Sequence, residues 1–536
     1  MDSPFFVGDH FHPQDCLSSL TMQNIRFLCS PINESRTVSQ ISPLIYDSNL
    51  ITDHSTKKSF CYLPPYRLLE KYFKSNCRRN NQKSLLNISA RQAIIDYITR
   101  EKIRIRAQFL LYLINDGAFQ KFDLWQLCEN NEFSNDEIYD ILTNLNKYSN
   151  VFKSLTIGGN NWIYETNLVS GPLKTLLTGS LKALENLRLQ QLPTEIDLVE
   201  LFEATPNLRC FEIAQPSITG RQLCRISNEL NNKQTISACT NLRSLHFPSS
   251  VNENGLLSIL SHFKNLKRLH CTPFEQFLDI LDLNPTEYSL KTKQNLLNLH
   301  SLSIMHPLSN DACKKLTKIC PNLKHLRIEV QKGMNLCRLF ENLKFLIKLE
   351  LINSVSMPLN YTENIQPALN YCSLRLESLS LELFDHINMT DLAQSCPNLK
   401  HFSAQWFNNI TMPHIRYYRL LTPKNQYAFQ KLEKLRLRPR PHQALPESVI
   451  TFLLDHSQYL KHIELYSCSE LTDTVIDSVG KKNSLKYLEC FIIRHGHSVT
   501  NELLFKLLST SLATENLIFH DCGLGPSEIL KQTNNR

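Results

Sequence analysis

An arginine and a histidine stand side by side at the end of an apolar run in "FIIRHGHSVTNE", residues 491–502. A guanidinium group binds phosphate through paired hydrogen bonds, and an imidazole can serve as a nucleophile or a general base. Arg494, His495 and Gly496 therefore have residue types that suit phosphoryl transfer. Whether they perform it depends on the elements that position them.

This triplet resembles the Arg-His-Gly string of the histidine phosphatases and phosphoglycerate mutases. The resemblance would make His495 the phospho-acceptor and Arg494 a phosphate ligand. Those families also need a second His, a second Arg and an acid from a following domain, whereas the 40 residues after Gly496 have a repeat pattern. We therefore predict that the triplet is a turn after a strand, that His495 and His497 are exposed, and that the chain has no catalytic residues.

Other motifs of enzymes and cofactor sites are missing from the sequence. It has no phosphate-binding loop, no dinucleotide fingerprint, no His-Glu-x-x-His helix and no nucleophile elbow. The 17 cysteines include no Cys-x-x-Cys pair, which argues against a zinc or redox site. We expect no cofactor, no metal and no enzymatic activity. The odd number of cysteines fits reduced thiols in the cytoplasm, with the nucleus as an alternative.

Charge and hydropathy also limit the kinds of partner that the protein is expected to bind. The net charge of +8 is mild for 536 residues, and the short basic stretches lack aromatic stacking residues or a nucleic-acid motif. The N-terminal residues have no long apolar core, and no run of about 18 apolar residues occurs. We therefore predict that the protein binds neither nucleic acid nor membrane.

Internal repetition is the strongest pattern in the sequence. "CPNLKHLRIE" (residues 320–329) and "CPNLKHFSA" (residues 396–404) are near copies that fit Leu-x-x-Leu-x-Leu. Their spacing is close to the leucine-rich repeat period of about 20–29 residues, with loop insertions. The frame recurs with its first apolar position at Phe152, Leu184, Leu208, Leu242, Leu266, Leu299, Leu323, Leu346, Leu376, Leu399, Leu432, Leu460, Leu488 and Thr514.

The frame predicts an α/β fold, a leucine-rich-repeat solenoid with a curved parallel β-sheet and convex helices. The second and third apolar residues are two apart, so in a strand they share one face and the residue between them faces outward. The segment "DACKKLTKIC" (residues 311–320) predicts a returning helix with a stripe of Ala312, Leu316 and Ile319. One unit cannot close a core alone, so neighbouring units must stack.

The outward residues of the strands are the expected protein-binding positions. We predict that a protein substrate contacts Arg188, Glu212, His246, His270, Arg327, Glu350, Arg436 and Glu464, with Ser303, Ser380 and Ser403 between them. These side chains mix both charges, so they predict no single ligand charge.

Several later units have a more specific pattern. "LKHIELYSCSELTD" (residues 460–473) resembles the cysteine-containing leucine-rich repeat of F-box-type and related ubiquitin-ligase receptors, and "LSNDACKKLTKICPNL" (residues 308–323) resembles its second half. The resemblance implies that Cys320, Cys396, Cys468 and Cys522 pack in the core rather than react.

The sequence before the repeats differs in composition. We predict a short helical box and a polar linker in residues 1–58, and a helical adaptor-binding and cap region in residues 59–150. Residues 89–116 have helical periodicity after Ser89, and Ser134-x-x-Glu137 is a capping box that starts another helix. Residues 151–536 are the repeat solenoid.

Two short N-terminal segments suggest adaptor binding. "CLSSLTMQNI" (residues 16–25) is similar to the elongin-binding box, with Leu17, Thr21 and Ile25 at its Leu, Cys and aliphatic positions. The spacing of four places them on one helix face. "YLPPYRLLEKYF" (residues 62–73) resembles the cullin-selecting half of such a box and also the start of an F-box, through Leu63, Pro64, Leu68 and Leu69.

Together, these segments and the repeats resemble leucine-rich-repeat substrate receptors of cullin-RING ubiquitin ligases. The Zyg/Zer group, which uses elongin B/C with cullin-2, is the first choice, and the F-box leucine-rich-repeat group, which uses a Skp-type adaptor with cullin-1, is the second. The resemblance implies a non-catalytic substrate-recognition subunit. The alternative is a leucine-rich-repeat scaffold without a ligase role, whose N-terminal segments are only a cap.

Overall fold

The structure, a computed structural model, places most of the repeat region. It describes residues 88–100, 104–115, 119–158, 167–190, 198–214, 241–246, 253–271, 274–283, 287–353, 359–412, 429–472, 485–496 and 516–520, and residues 475, 479, 498 and 522. The chain divides into two compact units, Met1–Leu208 and Arg209–Arg536.

The helical segment predicted at residues 89–116 forms two helices, α1 (Ile88–Arg100) and α2 (Ala107–Ile114). Arg106 has an extended backbone just before α2. Ser89 lies inside α1 rather than ahead of it. The Arg91 guanidinium donates hydrogen bonds to the Leu113 and Asn115 carbonyls, so it ties α1 to the end of α2, where carbonyls lack helical partners.

The region predicted to be helical also contains a strand. β1 (Lys121–Asp123) pairs in parallel with β2 (Ser154–Ile157), with Lys121 opposite Ser154. Phe119, Phe122 and Leu124 are buried at the three apolar positions of the repeat frame. This is an additional strand of the repeat pattern ahead of the first one predicted.

The capping box at Ser134 is confirmed. The Ser134 hydroxyl accepts a hydrogen bond from the Glu137 N–H at 3.3 Å, and Glu137 Oε2 accepts one from the Ser134 N–H at 2.9 Å. Both bonds satisfy donors that the first helical turn leaves unpaired. The helices and strands of this unit are α1, α2, β1, α3 (Leu124–Asn130), α4 (Asn135–Asn146), β2, α5 (Asn167–Thr178), β3 (Asn186–Leu189) and α6 (Leu198–Ala204).

The second unit is built on a parallel sheet whose strands pair in the predicted phase. Leu326 opposes Leu349, and Ile328 opposes Leu351. The second and third apolar positions of the repeats are buried wherever the structure describes their side chains, so the leucine-rich-repeat prediction is confirmed. Thr514 lies outside the described residues. The strands of this sheet follow one another in chain order, from Cys210–Ile213 to Asn516–His520.

The segments between the strands return the chain along the sheet. The helix Asn310–Ile319 begins after Ser309, whose hydroxyl accepts a hydrogen bond from the Ala312 N–H. Ala312, Leu316 and Ile319 are buried as predicted. Each stripe therefore closes the core beneath its own strand.

Asparagine side chains link successive repeats at the turn before the strand. Asn322 Nδ2 donates to the Leu297 carbonyl at 2.8 Å, and Asn398 Nδ2 donates to the Leu374 carbonyl at 2.6 Å. The recurring "PNL" triplets thus supply a hydrogen bond to a carbonyl that no strand or helix satisfies.

The second unit contains the following α-helices and β-strands, given in chain order. They are β4 (Cys210–Ile213), β5 (Ser244–His246), α7 (Glu253–His262), β6 (Arg268–His270), α8 (Phe274–Leu283), α9 (Glu287–Leu296), β7 (Ser301–Ile304), α10 (Asn310–Ile319), β8 (His325–Val330), α11 (Leu336–Asn342), β9 (Lys348–Asn353), β10 (Leu359–Asn360), α12 (Gln366–Leu369), β11 (Ser378–Glu382), β12 (Phe384–Asp385), β13 (Ile387–Asn388), α13 (Met389–Ser395), β14 (His401–Phe407), β15 (Ile410–Thr411), β16 (Lys434–Pro439), α14 (Glu447–His456), β17 (His462–Tyr466), β18 (Cys490–Arg494) and β19 (Asn516–His520). β10 pairs with β12 and β13 pairs with β15 in two small parallel sheets.

Candidate protein-binding face

Most of the predicted recognition residues lie on the partly exposed face of the sheet, whereas Glu212 and Ser303 are buried, contrary to the prediction. In β8, Leu326 and Ile328 are fully buried, whereas Arg327 between them is partly exposed. The same alternation holds in β9, β11, β14, β16 and β17. The residues between the apolar positions therefore form one face, which we call the outer face.

The strand register brings most of the predicted residues side by side. Because the repeats pair in phase, each outer-face residue opposes its counterpart on the next strand. The opposed pairs of the second unit are Glu212 with His246, His246 with His270, His270 with Ser303, Ser303 with Arg327, Arg327 with Glu350, Glu350 with Ser380, Ser380 with Ser403, Ser403 with Arg436, and Arg436 with Glu464.

Arg188 belongs to the first unit. It opposes Thr156 of β2, and its guanidinium carbon lies 4.7 Å from the centre of a Trp125 ring. The arginine is thus stacked on an aromatic side chain of its own unit.

The outer face is wider than the predicted set. Side chains alternate along a strand, so residues two positions before and after each predicted one share its face. His325 and Lys348 lie on one side of the predicted residues, and Arg438, Tyr466 and Arg494 lie on the other. The period of two could have located these residues from the sequence.

One part of the outer face, on strands β4–β9, is rich in histidine. We call Glu212, His246, His270, His325, Arg327, Lys348 and Glu350 the histidine section. His246 Nδ1 lies 3.6 Å from Glu212 Oε1, and the rings of His246 and His270 have centres 3.8 Å apart. Burial, and then the charge of Arg327, lower the pKa of His270 to about 4, so this imidazole is neutral at pH 7.

Glu350 is the centre of the histidine section. His325 Nε2 lies 3.1 Å from Glu350 Oε1, Lys348 Nζ lies 2.9 Å from the same oxygen, and Arg327 is 3.7 Å from Oε2. Burial opposes ionisation of this carboxyl, but the hydrogen bond from His325 and the charge of Lys348 outweigh it and lower its pKa to about 2. The carboxylate is therefore neutralised by groups of the same chain.

His325 is held in one orientation. A carboxylate only accepts hydrogen bonds, so Nε2 of His325 carries the proton that Glu350 receives. Its Nδ1 lies 3.0 Å from the Ser301 hydroxyl, and burial lowers the pKa of the imidazole despite the opposing effect of Glu350. Neutral His325 thus donates to Glu350 and accepts from Ser301, which leaves its ring no nitrogen for an outside ligand.

A second part of the outer face, on strands β14–β18, is rich in arginine and aromatic residues. We call Trp406, Arg436, Arg438, Arg440, Glu464, Tyr466 and Arg494 the arginine section. The Arg438 guanidinium carbon lies 3.9 Å from the centre of the Trp406 ring and 4.9 Å from that of Tyr466. Arg494 lies 5.4 Å from the Tyr466 ring. Two guanidinium groups are therefore held on aromatic faces.

Glu464 is the acid within the arginine section. Arg436 Nε lies 3.1 Å from Glu464 Oε2, and Arg494 Nε lies 3.9 Å from Oε1. The Tyr466 hydroxyl donates to Oε1 at 2.7 Å. Arg440 Nε instead donates to the Trp406 carbonyl at 3.1 Å. The section thus contains four guanidinium groups and one carboxylate, so its net charge is positive.

A recurring turn follows the outer-face positions. The residue seven places after the first apolar position has a positive φ in several repeats, a backbone conformation that non-glycine residues adopt rarely. His495 is one of these residues and is exposed, so it lies in a turn after a strand as predicted, while His497 is outside the described residues. The residues with this turn are Leu383 (φ 65°), Trp406 (φ 57°), Ser467 (φ 55°) and His495 (φ 57°).

The turn explains why Trp406 lies over Arg438. The next repeat has Pro439 in the equivalent position, and proline fixes φ at about −65°. The register between β14 and β16 shifts between Gln405 and Phe407, with Phe407 opposite Pro439. Such an irregularity redirects a side chain, and here it places the Trp406 indole against the guanidinium.

The cysteines of the repeat turns are packed rather than reactive. Cys320, Cys396 and Cys468 are fully buried, as predicted, and Cys522 is partly exposed. Burial raises the pKa of Cys320 and Cys396 to about 12. A thiol with such a pKa is protonated at pH 7 and is a weak nucleophile.

The described part of the chain has neither a candidate metal site nor a candidate membrane span. Within it, histidine, cysteine and acidic side chains nowhere gather in threes in a way that could hold a metal ion. None of its helices combines the length and the apolar character needed to cross a bilayer. The predicted adaptor-binding residues Leu17, Thr21, Ile25, Leu63, Pro64, Leu68 and Leu69 lie outside the described residues.

The chain was compared with known proteins. No protein-family model matches it, and no curated protein matches it. Among solved structures it is similar to the yeast Rad7–Elc1 complex, with 16% identity, a TM-score of 0.34, and coverage of 56% of this chain and 82% of that chain. It is also similar to the Drosophila Toll–Spatzle complex, with 12% identity, a TM-score of 0.29, and coverage of 69% and 47%. At such low TM-scores neither likeness establishes what this chain does.

Proposed function

We propose that this protein is a non-catalytic substrate-recognition subunit of a cullin-RING ubiquitin ligase. The outer face of the repeat sheet binds a protein substrate, and the N-terminal segments at residues 16–25 and 62–73 bind an adaptor. The adaptor is elongin B/C with cullin-2, or a Skp-type adaptor with cullin-1.

One observation carries the recognition half of the proposal. In-phase pairing of the strands produces a continuous row of polar and charged side chains, from Glu212 to Glu464, on a rigid sheet. Rigid surfaces that present arginine and aromatic side chains are typical of protein-binding sites. The ligase half rests on the two N-terminal sequence segments.

The mechanism follows from proximity. A receptor that holds substrate and ligase at once raises the local concentration of the ubiquitin donor near substrate lysines, without taking part in bond formation. The chain's own role is to bind both partners in a fixed geometry. The fully buried, protonated thiols of Cys320 and Cys396 are suited to packing in such a scaffold.

The test is capture of purified adaptors on the immobilised full-length protein. We expect the wild type to retain elongin B/C and the double variant Leu17→Ala with Ile25→Ala to lose it, whereas capture of a Skp-type adaptor would depend on the segment at residues 62–73. Loss of cullin capture in the double variant Leu63→Ala with Leu68→Ala would locate cullin selection in the second segment. Retention of cullin-2 or cullin-1 then identifies the ligase class.

A matched control changes the opposite side of the same predicted helix. Ser19→Ala with Gln23→Ala alters residues about 180° away from Leu17 and Ile25, so adaptor capture should persist. If the wild type retains neither adaptor nor cullin, the ligase role is wrong, and the alternative of a repeat scaffold replaces it.

A further inference from the structure

We propose that the arginine section is the part of the outer face that binds the substrate, and that it binds an acidic peptide segment through that segment's carboxylate side chains. This inference rests on the proposed function, because it names the chemistry of the substrate for the same face. It assigns the main role to Arg438, Arg494 and Arg436.

Arg438 is held in place by two aromatic rings. Its guanidinium is stacked against Trp406 and Tyr466. Within the described residues, neither a hydrogen bond nor an ion pair engages this group. A guanidinium has five N–H donors in a rigid planar fork that matches a carboxylate. Stacking on two rings fixes this plane before any ligand arrives, which lowers the entropy cost of binding.

Arg436 and Arg494 add positive charge beside Arg438. Their Nε atoms lie 3.1 Å and 3.9 Å from the carboxylate oxygens of Glu464, the acid that the two arginines share. One carboxylate carries a single negative charge, so it leaves the pair of guanidinium groups with a net positive charge that an acidic ligand can neutralise. Their side chains are 30% and 38% exposed, which gives a ligand access to the remaining nitrogens.

Charge favours an acidic partner, and its arrangement favours a peptide over a nucleic acid. Glu464 lies between the arginines, and Glu433 and Glu489 flank them, paired with Lys461 at 3.0 Å and His462 at 3.5 Å. Interspersed carboxylates repel an unbroken row of phosphates. A peptide places separate charges with neutral residues between them.

The spacing of the strands also suits an extended peptide. Arg438 and Arg494 are on β16 and β18, which are separated by one strand, and thus lie about 10 Å apart at the backbone. Three residues of extended chain span about the same distance. Side chains three residues apart share one face when the peptide has the three-residue turn of polyproline II, so two acidic residues at this spacing can each meet one arginine while the Trp406 and Tyr466 rings contact the residues between.

The experiment is a selection of 12-residue peptides from a random displayed library on the full-length protein. We expect the recovered peptides to be enriched in Asp and Glu. The best peptide is then synthesised, and its affinity is measured by fluorescence anisotropy. We expect Arg438→Ala to weaken binding at least about tenfold, as loss of an interface hot spot does, and Arg438→Lys to weaken it less, because lysine keeps the charge but loses the planar fork.

Two controls separate charge from position. Arg338→Ala removes the same charge from an exposed site on α11 and should leave the affinity unchanged. Replacing the acidic residues of the peptide with Gln should abolish binding, and replacing one with phosphoserine tests whether the arginines accept phosphate as well. Selection without acidic enrichment, or equal affinity for the Gln peptide, overturns the proposal.

Two further outcomes are informative. If single-stranded RNA of similar length binds and competes, and acidic peptides do not bind, the arginine section is a nucleic-acid site and the proposal is wrong. Adaptor capture by the Arg438→Ala protein separates this inference from the proposed function. Loss of adaptor capture in the wild type with acidic peptides still bound would end the ligase role and leave the peptide site standing.

Discussion

The histidine section and the arginine section occupy the same positions of the repeat, but they use their charges differently. In the histidine section, Glu350 is contacted by His325, Lys348 and Arg327 at once, and its side chain is only 14% exposed. In the arginine section, Glu464 contacts Arg436 and Arg494, while no described residue forms a hydrogen bond or an ion pair with the stacked Arg438 guanidinium. We call the histidine section closed, because its carboxylate is paired with basic groups of the same chain. We call the arginine section open, because its guanidinium groups outnumber its carboxylate and can bind a ligand.

This difference shows that a charged residue at a given repeat position does not by itself identify a binding site. Arg327 and Arg436 stand at equivalent positions and look alike in the sequence. The first lies in a carboxylate network whose acceptors are already shared among three basic groups, and the second belongs to a group of arginines with one carboxylate. We therefore assign a structural role to the histidine section and a binding role to the arginine section.

The largest loss of stability should come from substitution of the buried leucines. It should be similar in both sections, because both lie over the same buried face of the sheet. Leu349 and Leu437 are each fully buried behind the two sections. Leu349→Ala and Leu437→Ala should each lower the free energy of unfolding by about 2–5 kcal/mol, from lost burial and the cavity left behind. Urea unfolding measures both. A near-neutral Leu437→Ala would show that the arginine section is not supported by the same core.

Acid should destabilise the histidine section. His270 has a pKa of about 4 in the folded protein, below the ordinary histidine value of 6.5, so the unfolded chain binds the proton more readily. Stability is therefore full above pH 6.5 and falls as the pH drops from 6.5 to 4, by about 3 kcal/mol in total.

His270→Asn should flatten the stability profile between pH 6.5 and 4. His401→Asn, at an exposed position of β14, is the matched control and should leave the profile unchanged. Urea unfolding midpoints across this pH range provide the comparison. An unaltered slope in His270→Asn would contradict a buried neutral imidazole.

Replacing the central glutamate of each section with glutamine should lower the free energy of unfolding by different amounts. Glu350→Gln removes the charge that Lys348 and His325 contact, and it should lower the free energy of unfolding by about 1–3 kcal/mol. Glu464→Gln should cost less, because Arg436 and Arg494 are more exposed and water replaces the lost charge. Equal losses in urea unfolding would mean that both sections are closed networks.

The smallest effect concerns the phenol of Tyr466. Its hydroxyl donates to Glu464 at 2.7 Å, and Tyr466→Phe removes this bond while keeping the ring under Arg438. We expect a loss of about 0.5–1.5 kcal/mol in urea unfolding and little change in acidic-peptide affinity. A large loss of affinity would indicate that the hydroxyl, rather than the ring, contacts the ligand.

Much of the sheet could be predicted from the sequence. The apolar frame located the strands because a period of two in a strand is a local property, and Leu326 and Ile328 are buried where it placed them. The frame was not extended to Phe119, Phe122 and Leu124, where aromatic residues replace two leucines and helical signals surround the strand.

The arginine section was predicted only in part. Arg436 and Glu464 were identified from their place between apolar residues, but Arg438, Tyr466 and Arg494 were not. The stacking of Trp406 on Arg438 depends on a positive φ at Trp406 and on the register shift opposite Pro439. Such features arise from pairing between repeats, and a single repeat does not reveal them.

The most direct test compares two arginines at equivalent repeat positions. The affinity of the selected acidic peptide is measured for the wild type, Arg436→Ala and Arg327→Ala, each confirmed as folded by circular dichroism. An open arginine section predicts that Arg436→Ala weakens binding at least about tenfold and that Arg327→Ala leaves it unchanged. Equal weakening by both substitutions, or by neither, would contradict the division of the outer face into a closed and an open section.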